Sequence, residues 1–315
     1  MTMNWLWCGF FGIAGLTLLY YGAEWMVSGG VSIARKCRIS PLVIGLTLVA
    51  FATSAPELVV SVLSTLDGHG DVALGNVVGS NICNITVILG LSALIAPIAV
   101  NPKMLKLDIP LLLGISLLLA LSACLLNGVG RIAGAVFLLI GIGYTIFLIH
   151  SSRKENAEGE ETEEKILKLH WAMLLTVIGI GALILGANLF LESAIFAATR
   201  FGIPDAVIGL TIVALGTSLP ELATSAVAAF KGQQDIAIGN VVGSNILNIL
   251  VIMGIAPLIR PIEAPGISLP DVAMMLGVTL WLALLMKFRP SISRIAGGAF
   301  LLSACLYTAY LISRV

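Results

Sequence analysis

Apolar runs long enough to cross a bilayer recur along almost the whole chain, separated by short polar turns. A membrane helix needs about 20 largely apolar residues. By that measure the sequence predicts ten helices, at roughly 5–33, 41–66, 71–96, 106–126, 130–150, 170–199, 205–230, 236–259, 268–287 and 292–313. The one long polar stretch, Ser151 to Leu169, is rich in Glu, Lys and Arg and reads as a solvated connector. It divides the chain into a five-helix unit at 1–150 and a second five-helix unit at 170–315. The expected fold is an all-α membrane protein.

The two units resemble each other. Sliding 41–85 onto 205–249 gives about 26 identities in 45 positions. Beyond one small gap, Arg131-Ile132-Ala133-Gly134 aligns with Arg294-Ile295-Ala296-Gly297, and Tyr144-Thr145 with Tyr307-Thr308. Five is an odd number, so the second unit enters the membrane upside down relative to the first. Inverted-topology repeats of this kind belong to secondary transporters, whose substrate sites lie near the midplane between the repeats.

Composition agrees with the pattern. Hydrophobic residues make up 58% of the 315 and charged residues 11%, against about 25% charged in soluble domains. The 17 basic and 17 acidic residues balance, so no nucleic acid or other polyanion is expected as a partner; the lipid bilayer is. Of the basic residues, thirteen fall on the side of the connector and four (Arg131, Arg200, Arg260, Arg314) on the other. The connector is therefore expected in the cytoplasm and both termini outside a cell membrane. Met1 to Phe10 has no basic cluster and no small-residue cleavage site, and is read as the start of a retained helix. Cys8, Cys37, Cys83, Cys124 and Cys305 show no paired spacing and are expected to be small buried residues.

Against this apolar background two strings stand out. Thr53-Ser54-Ala55-Pro56-Glu57 recurs as Thr217-Ser218-Leu219-Pro220-Glu221, and Gly75-Asn76-Val77-Val78-Gly79-Ser80-Asn81 recurs as Gly239-Asn240-Val241-Val242-Gly243-Ser244-Asn245. A carboxylate at membrane depth costs roughly 2.5–3.5 kcal/mol on insertion scales and marks function by default. Each glutamate follows a proline, which lacks an N–H and frees carbonyls in the preceding turn, near Ala52 and Gly216. The hydroxyls of Thr53, Ser54, Thr217 and Ser218 lie beside those carbonyls. Together with Glu57 and Glu221 they form a hard oxygen donor set of the kind Ca²⁺ takes, and Na⁺ is similar in size. Ser80 and Asn84, like Ser244 and Asn248, fall on one helical face at i, i+4. The glycines at 75, 79, 239 and 243 form small-xxx-small faces for close helix packing.

These doubled strings resemble the two alpha-repeats of the calcium/cation antiporter superfamily, and in particular its sodium/calcium exchangers. The likeness covers essentially all ten helices. It implies ion binding at Glu57, Asn84, Glu221 and Asn248, with hydroxyl and carbonyl ligands from Ala50, Thr53, Ser54, Ser80, Ala214, Thr217, Ser218 and Ser244. It also implies a packed core of helices 2, 3, 7 and 8, flanked by long tilted helices 1 and 6 that slide. Proton-coupled members carry an acidic residue within the second string, where this chain has Gly79 and Gly243; potassium-dependent members carry an Asp at one of the positions of Asn84 and Asn248. Some microbial sodium/calcium exchangers also have Asp at the position of Asn248. With Asn at both, the centre holds two formal charges.

The mechanism that follows is an electrostatic either/or. Two unpaired carboxylates in a low dielectric are costly to carry through an occluded state; one Ca²⁺ cancels them, as do two or three Na⁺, with Glu57, Glu221, Thr53 and Thr217 as the closest metal ligands. Three Na⁺ per Ca²⁺, as the resemblance suggests, would move one net charge per cycle. No enzyme activity and no cofactor beyond the transported ions is expected, and a monomer suffices. The rival readings are a proton/calcium antiporter, because a desolvated Glu can carry H⁺, a potassium-dependent exchanger, and a passive channel. An intramembrane hydrolase would need a His at depth, and His69, His150 and His170 fall at span ends. Glu24 and Glu192 are expected at an interface, with gating an open alternative for Glu24. Asp71 and Asp235 are expected to cap the helices they open.

Overall fold

The computed structural model describes residues 4–155, 167–203, 208, 212, 214–263 and 268–314. Helices dominate: α1 (Trp5–Lys36), a bent pair α2 and α3 (Pro41–Thr53 and Ala55–Leu66), α4 (Gly70–Ile95), α5 (Asp108–Leu125) and α6 (Arg131–Glu155). After the connector come α7 (Leu169–Arg200), α8 (Leu219–Phe230), α9 (Gln234–Ile259), α10 (Leu269–Phe288) and α11 (Arg294–Ile312). Eight of these are long and apolar enough to cross a membrane, nine with the bent pair counted as one span, and α8 is a shorter apolar helix. The first half of the expected span at 205–230 lies mostly outside the described residues, as do residues 156–166 of the connector.

Most boundaries fall within a few residues of the sequence expectation. Two differ. The span at 41–66 is not continuous but bends by 47° at Ser54, because Pro56 starts a new helix at its second position. α6 runs on to Glu155, five residues into the stretch read as connector.

The centre of the molecule is α4 and α9. Their most apolar windows are 67% and 78% buried, against 28% for α1 and 11% for α11, so α4 and α9 lie inside and α1 and α11 at the periphery. Close packing at the centre uses glycine where the sequence places it. A Cβ on Gly243 would sit 2.7 Å from Leu46 Cα, and one on Gly239 2.8 Å from the Leu42 carbonyl. Gly75 and Gly79 meet nothing among the described residues.

A second seam joins α1 to α7, antiparallel. Gly15, Gly22 and Gly29 recur every seven residues and face Gly186, Gly179 and Ala172. A Cβ on Gly22 would come within 2.9 Å of the Gly179 carbonyl, so the two backbones touch directly.

Loops from the two halves also pair. Ile98–Ala99 forms a two-residue antiparallel ladder with Ser291–Ile292, and Gly128–Val129 another with Ile262–Glu263. Matching braces hold the last helix of each half to the one before it: Tyr144 donates to Asp108 at 2.8 Å, and Tyr307 to Asp271 at 2.9 Å.

The cysteines depart from expectation. All five are free, Cys124 and Cys305 are exposed, and the other three are half-buried. On a lipid-facing helix a thiol meets hydrocarbon on either side and has no need of a protein core.

Candidate functional site

Each glutamate enters the site through the same local device. Ser54-Ala55-Pro56-Glu57 and Ser218-Leu219-Pro220-Glu221 both have the Ser-x-x-Glu spacing of a helix capping box. In each, the serine is the residue before the helix, proline occupies the first turn, and glutamate lies in that turn. Neither serine caps its own helix. Ser54 Oγ instead donates to Glu221 Oε1 at 2.9 Å, and Ser218 Oγ donates to Glu57 Oε1 at 3.1 Å. The carboxylate of each half is thus held by the hydroxyl of the other. Thr53 and Thr217 lie beside the same carboxylates, Thr53 next to Glu221 and Thr217 next to Glu57.

Around them the helices are locally unwound. Wider π-helical turns occupy Gly45–Val49, ahead of Ala50, and Asn84–Leu89 and Asn248–Ile252, the last two each beginning at an asparagine expected as a ligand. Such turns loosen the regular backbone ladder and collect at functional sites.

Asparagines form a second layer. Asn84 Nδ2 donates to Asn245 Oδ1 at 2.9 Å, and Asn248 Nδ2 to Asn81 Oδ1 at 3.1 Å and Ser80 Oγ at 3.0 Å. Asn76 Nδ2 donates to the Glu57 carbonyl at 3.1 Å and to Ser61 at 2.9 Å; Asn240 repeats this on the Glu221 carbonyl and Ser225 at 3.3 and 2.9 Å. These bonds anchor the backbone of both glutamates. The sequence reading overlooked Asn76, Asn81, Asn240 and Asn245, although their doubled occurrence within the repeated string was a usable signal.

What remains unpaired defines the chemistry. Eight buried side-chain oxygens among the described residues have no hydrogen-bond partner, and five belong to expected site residues: Glu57 Oε2, Glu221 Oε2, Asn84 Oδ1, Asn248 Oδ1 and Ser244 Oγ. Glu57 and Glu221 are 1% and 0% exposed, and no Lys or Arg pairs with either among the described residues. A buried carboxylate oxygen with no donor is costly unless a cation meets it or the acid takes up a proton. No group of three His, Cys, Asp or Glu side chains stands together among the described residues, so the donor set is oxygen from two acids and neutral amides and hydroxyls, suited to Na⁺ or Ca²⁺.

Other expected residues divide. Thr53, Ser54, Ser80, Ser218 and Ser244 are buried, as is Ala50, and Thr217 is half-buried. Thr53 Oγ1 lies 3.0 Å from Asn240 Oδ1. The Ala50 carbonyl already accepts the Ser54 N–H at 2.9 Å and lies 3.2 Å from Thr53 Oγ1. In the second half the Ser218 N–H goes to the Leu215 carbonyl at 3.2 Å; the Ala214 side chain lies outside the described residues. Cys83, between Asn81 and Asn84, lines an apolar cavity of about 210 Å³ shared with Ser218, Gly216 and Leu191.

Of the remaining candidates, Glu24 pairs with Lys231 at 2.7 Å, each about one-third exposed, which ties α1 to the end of α8. Asp71 and Asp235 sit in the first turns of α4 and α9 and not at the cap positions, which His69 and Gln233 occupy. His69, His150 and His170 are exposed.

The family model described as sodium/calcium exchanger protein matches residues 7–150 and 171–313. Inner membrane protein YrbG of Escherichia coli (strain K12) is 36% identical over 283 residues, spanning 87% of this chain and 86% of that protein. Sodium/calcium exchanger MaX1 of Methanosarcina acetivorans is 32% identical, spanning 95% of this chain and 96% of its own length. A structure of the sodium-calcium exchanger NCX_Mj, soaked with Na⁺ and Sr²⁺, superposes with a TM-score of 0.84 at 35% identity, covering 98% of this chain and 99% of that one.

Proposed function

This chain belongs to the sodium/calcium exchanger protein family and is a multi-pass membrane antiporter of cations and calcium, and from that premise we propose that it exchanges Na⁺ for Ca²⁺ by alternating access at Glu57 and Glu221. The observation that carries this reading is the crossed pair Ser54–Glu221 and Ser218–Glu57, with one unpaired oxygen left on each carboxylate. Such a site is built from both halves at once and offers two buried acidic side chains to a cation.

One Ca²⁺ neutralises the two carboxylates, and Na⁺ ions do so by number. Glu57, Glu221, Thr53 and Thr217 act as the inner ligands. Asn84, Asn248, Ser54, Ser80, Ser218, Ser244 and the carbonyls of Ala50 and Ala214 complete the sites. Because the ligands overlap, Ca²⁺ and Na⁺ exclude each other, and the site crosses only when loaded. Three Na⁺ for one Ca²⁺ makes the cycle electrogenic.

Ten helices in two inverted five-helix repeats fit this function. The crossed loop pairing supports the arrangement: the loop after the third helix of each half meets the loop before the fifth helix of the other. An inverted two-fold produces that pattern twice. The distribution of basic residues supports a cytoplasmic connector and external termini.

The deciding experiment reconstitutes the protein in liposomes and measures ⁴⁵Ca²⁺ uptake against an imposed Na⁺ gradient or an imposed pH gradient. Uptake should follow internal Na⁺ at constant pH. Uptake that follows the pH gradient and ignores Na⁺ would make it a proton/calcium antiporter. Ca²⁺ entry with no counter-ion inside would make it a channel.

A further inference from the structure

We infer that Asn81 and Asn245 are positioning residues, which fix the end of the Asn248 and Asn84 side-chain amides that faces the transported cation. This rests on the ion-site reading above and adds to it a reason why neutral asparagines can serve there.

A side-chain amide has two chemically opposite ends, a carbonyl oxygen that accepts and an NH₂ that donates. Only the oxygen can ligate a cation. An asparagine therefore works as a ligand only if something on its far side accepts from the NH₂. A carboxylate at the same position has no such requirement.

The bonds around the site meet this requirement in both halves. Asn84 Nδ2 is taken by Asn245 Oδ1, and Asn248 Nδ2 by Asn81 Oδ1 and Ser80 Oγ. The Oδ1 atoms of Asn84 and Asn248 are then the ends left buried and unpaired. Asn81 and Asn245 are locked in turn, each donating its own Nδ2 to the other's backbone carbonyl at 3.3 Å. A backbone carbonyl can only accept, so it sets the polarity of the whole chain of bonds. From carbonyl to Asn81 to Asn248, and from carbonyl to Asn245 to Asn84, each link crosses from one half of the molecule to the other. All four asparagines are 1% exposed or less, so bulk solvent does not reach them as an alternative acceptor.

The two arms differ in one respect. Asn248 Nδ2 has two acceptors and Asn84 Nδ2 has one, so Asn245 matters more than Asn81.

A double-mutant cycle on the full-length purified protein tests this, with Ca²⁺ titrated by calorimetry. Asn245→Ala should weaken Ca²⁺ binding by about ten-fold or more when residue 84 is Asn. In the Asn84→Asp background, where no NH₂ needs an acceptor, the same substitution should cost less than about three-fold. Asn81→Ala should cost less than Asn245→Ala, because Ser80 still accepts from Asn248. Equal losses in both backgrounds would mean that Asn245 only holds the halves together, and would overturn the inference while leaving the ion site intact. Wild-type protein that binds no Ca²⁺ would overturn the ion-site reading and this inference with it. Should Asn245→Ala misfold, the cycle is run as Asn81→Ala with Asn248→Asp in a Ser80→Ala background, which removes both acceptors of Asn248 Nδ2 and carries the same two outcomes.

Discussion

Glu57→Gln separates an ion ligand from a structural acid with opposite signs in two measurements. Glu57 is 1% exposed, accepts from Ser218 through Oε1 and leaves Oε2 unpaired. Glutamine keeps the shape and the Ser218 bond but removes the charge and puts an NH₂ where Oε2 points. At a Ca²⁺–oxygen distance of about 2.4 Å and an effective dielectric of about 20, one carboxylate attracts Ca²⁺ by about 14 kcal/mol and Na⁺ by about 7 kcal/mol. Dehydration of the ion offsets most of that. If a fifth survives as net affinity, the loss for Ca²⁺ is about 3 kcal/mol, a factor of about 100. Ca²⁺ binding should therefore fall more steeply than Na⁺ binding, and Ca²⁺ uptake into proteoliposomes under a Na⁺ gradient should be abolished. The ion-free variant should be no less stable than the wild type, because a buried acid has been replaced by a neutral amide of the same shape; its melting temperature should stop responding to Ca²⁺. Glu221→Gln should behave alike. Uptake within three-fold of wild type in both variants would refute the reasoning, as would a large loss of ion-free stability with Ca²⁺ affinity unchanged.

Further outcomes follow from the same geometry. Ser54→Ala removes a hydrogen bond to a carboxylate, worth about 1.5–3 kcal/mol, and should weaken Ca²⁺ binding about ten-fold; in calorimetry its effect should be non-additive with Glu221→Gln and additive with Glu57→Gln. Gly22→Ala drives a methyl to within 2.9 Å of the Gly179 carbonyl, and should lower the melting temperature by the equivalent of about 1–3 kcal/mol. Gly114→Ala, with nothing within 4 Å, should be neutral or stabilise by up to about 1 kcal/mol. Ca²⁺ uptake against internal Na⁺ moves one positive charge outward if three Na⁺ leave, so an inside-positive diffusion potential should accelerate it. A potential of 100 mV biases that step by about 2.3 kcal/mol, and uptake that is indifferent to potential points to a two-for-one exchange.

What the chain alone determined is the part governed by local periodicity. Apolar runs of bilayer length fixed where helices lie, since an unpaired backbone cannot stay in hydrocarbon. Prolines at 56 and 220 marked turns with freed carbonyls, the doubled strings marked Glu57 and Glu221 as unlike their surroundings, and helical spacing from Ser80 and Ser244 marked Asn84 and Asn248. Spacing could say that Ser80 and Asn84 share a helix face. It could not say what that face meets. Ser54 and Glu57 have capping-box spacing, and only the closed structure shows the serine reaching Glu221, 167 residues away, in place of its own helix end. The heptad glycines at 15, 22 and 29 are ordinary in an apolar helix until Gly179 and Gly186 come against them. The direction of each asparagine amide is likewise set by a carbonyl in the other half. Local sequence fixes which atoms a helix offers, but a polar atom's partner is decided by which surfaces close on it. In this molecule the partners that matter come from opposite halves of the chain.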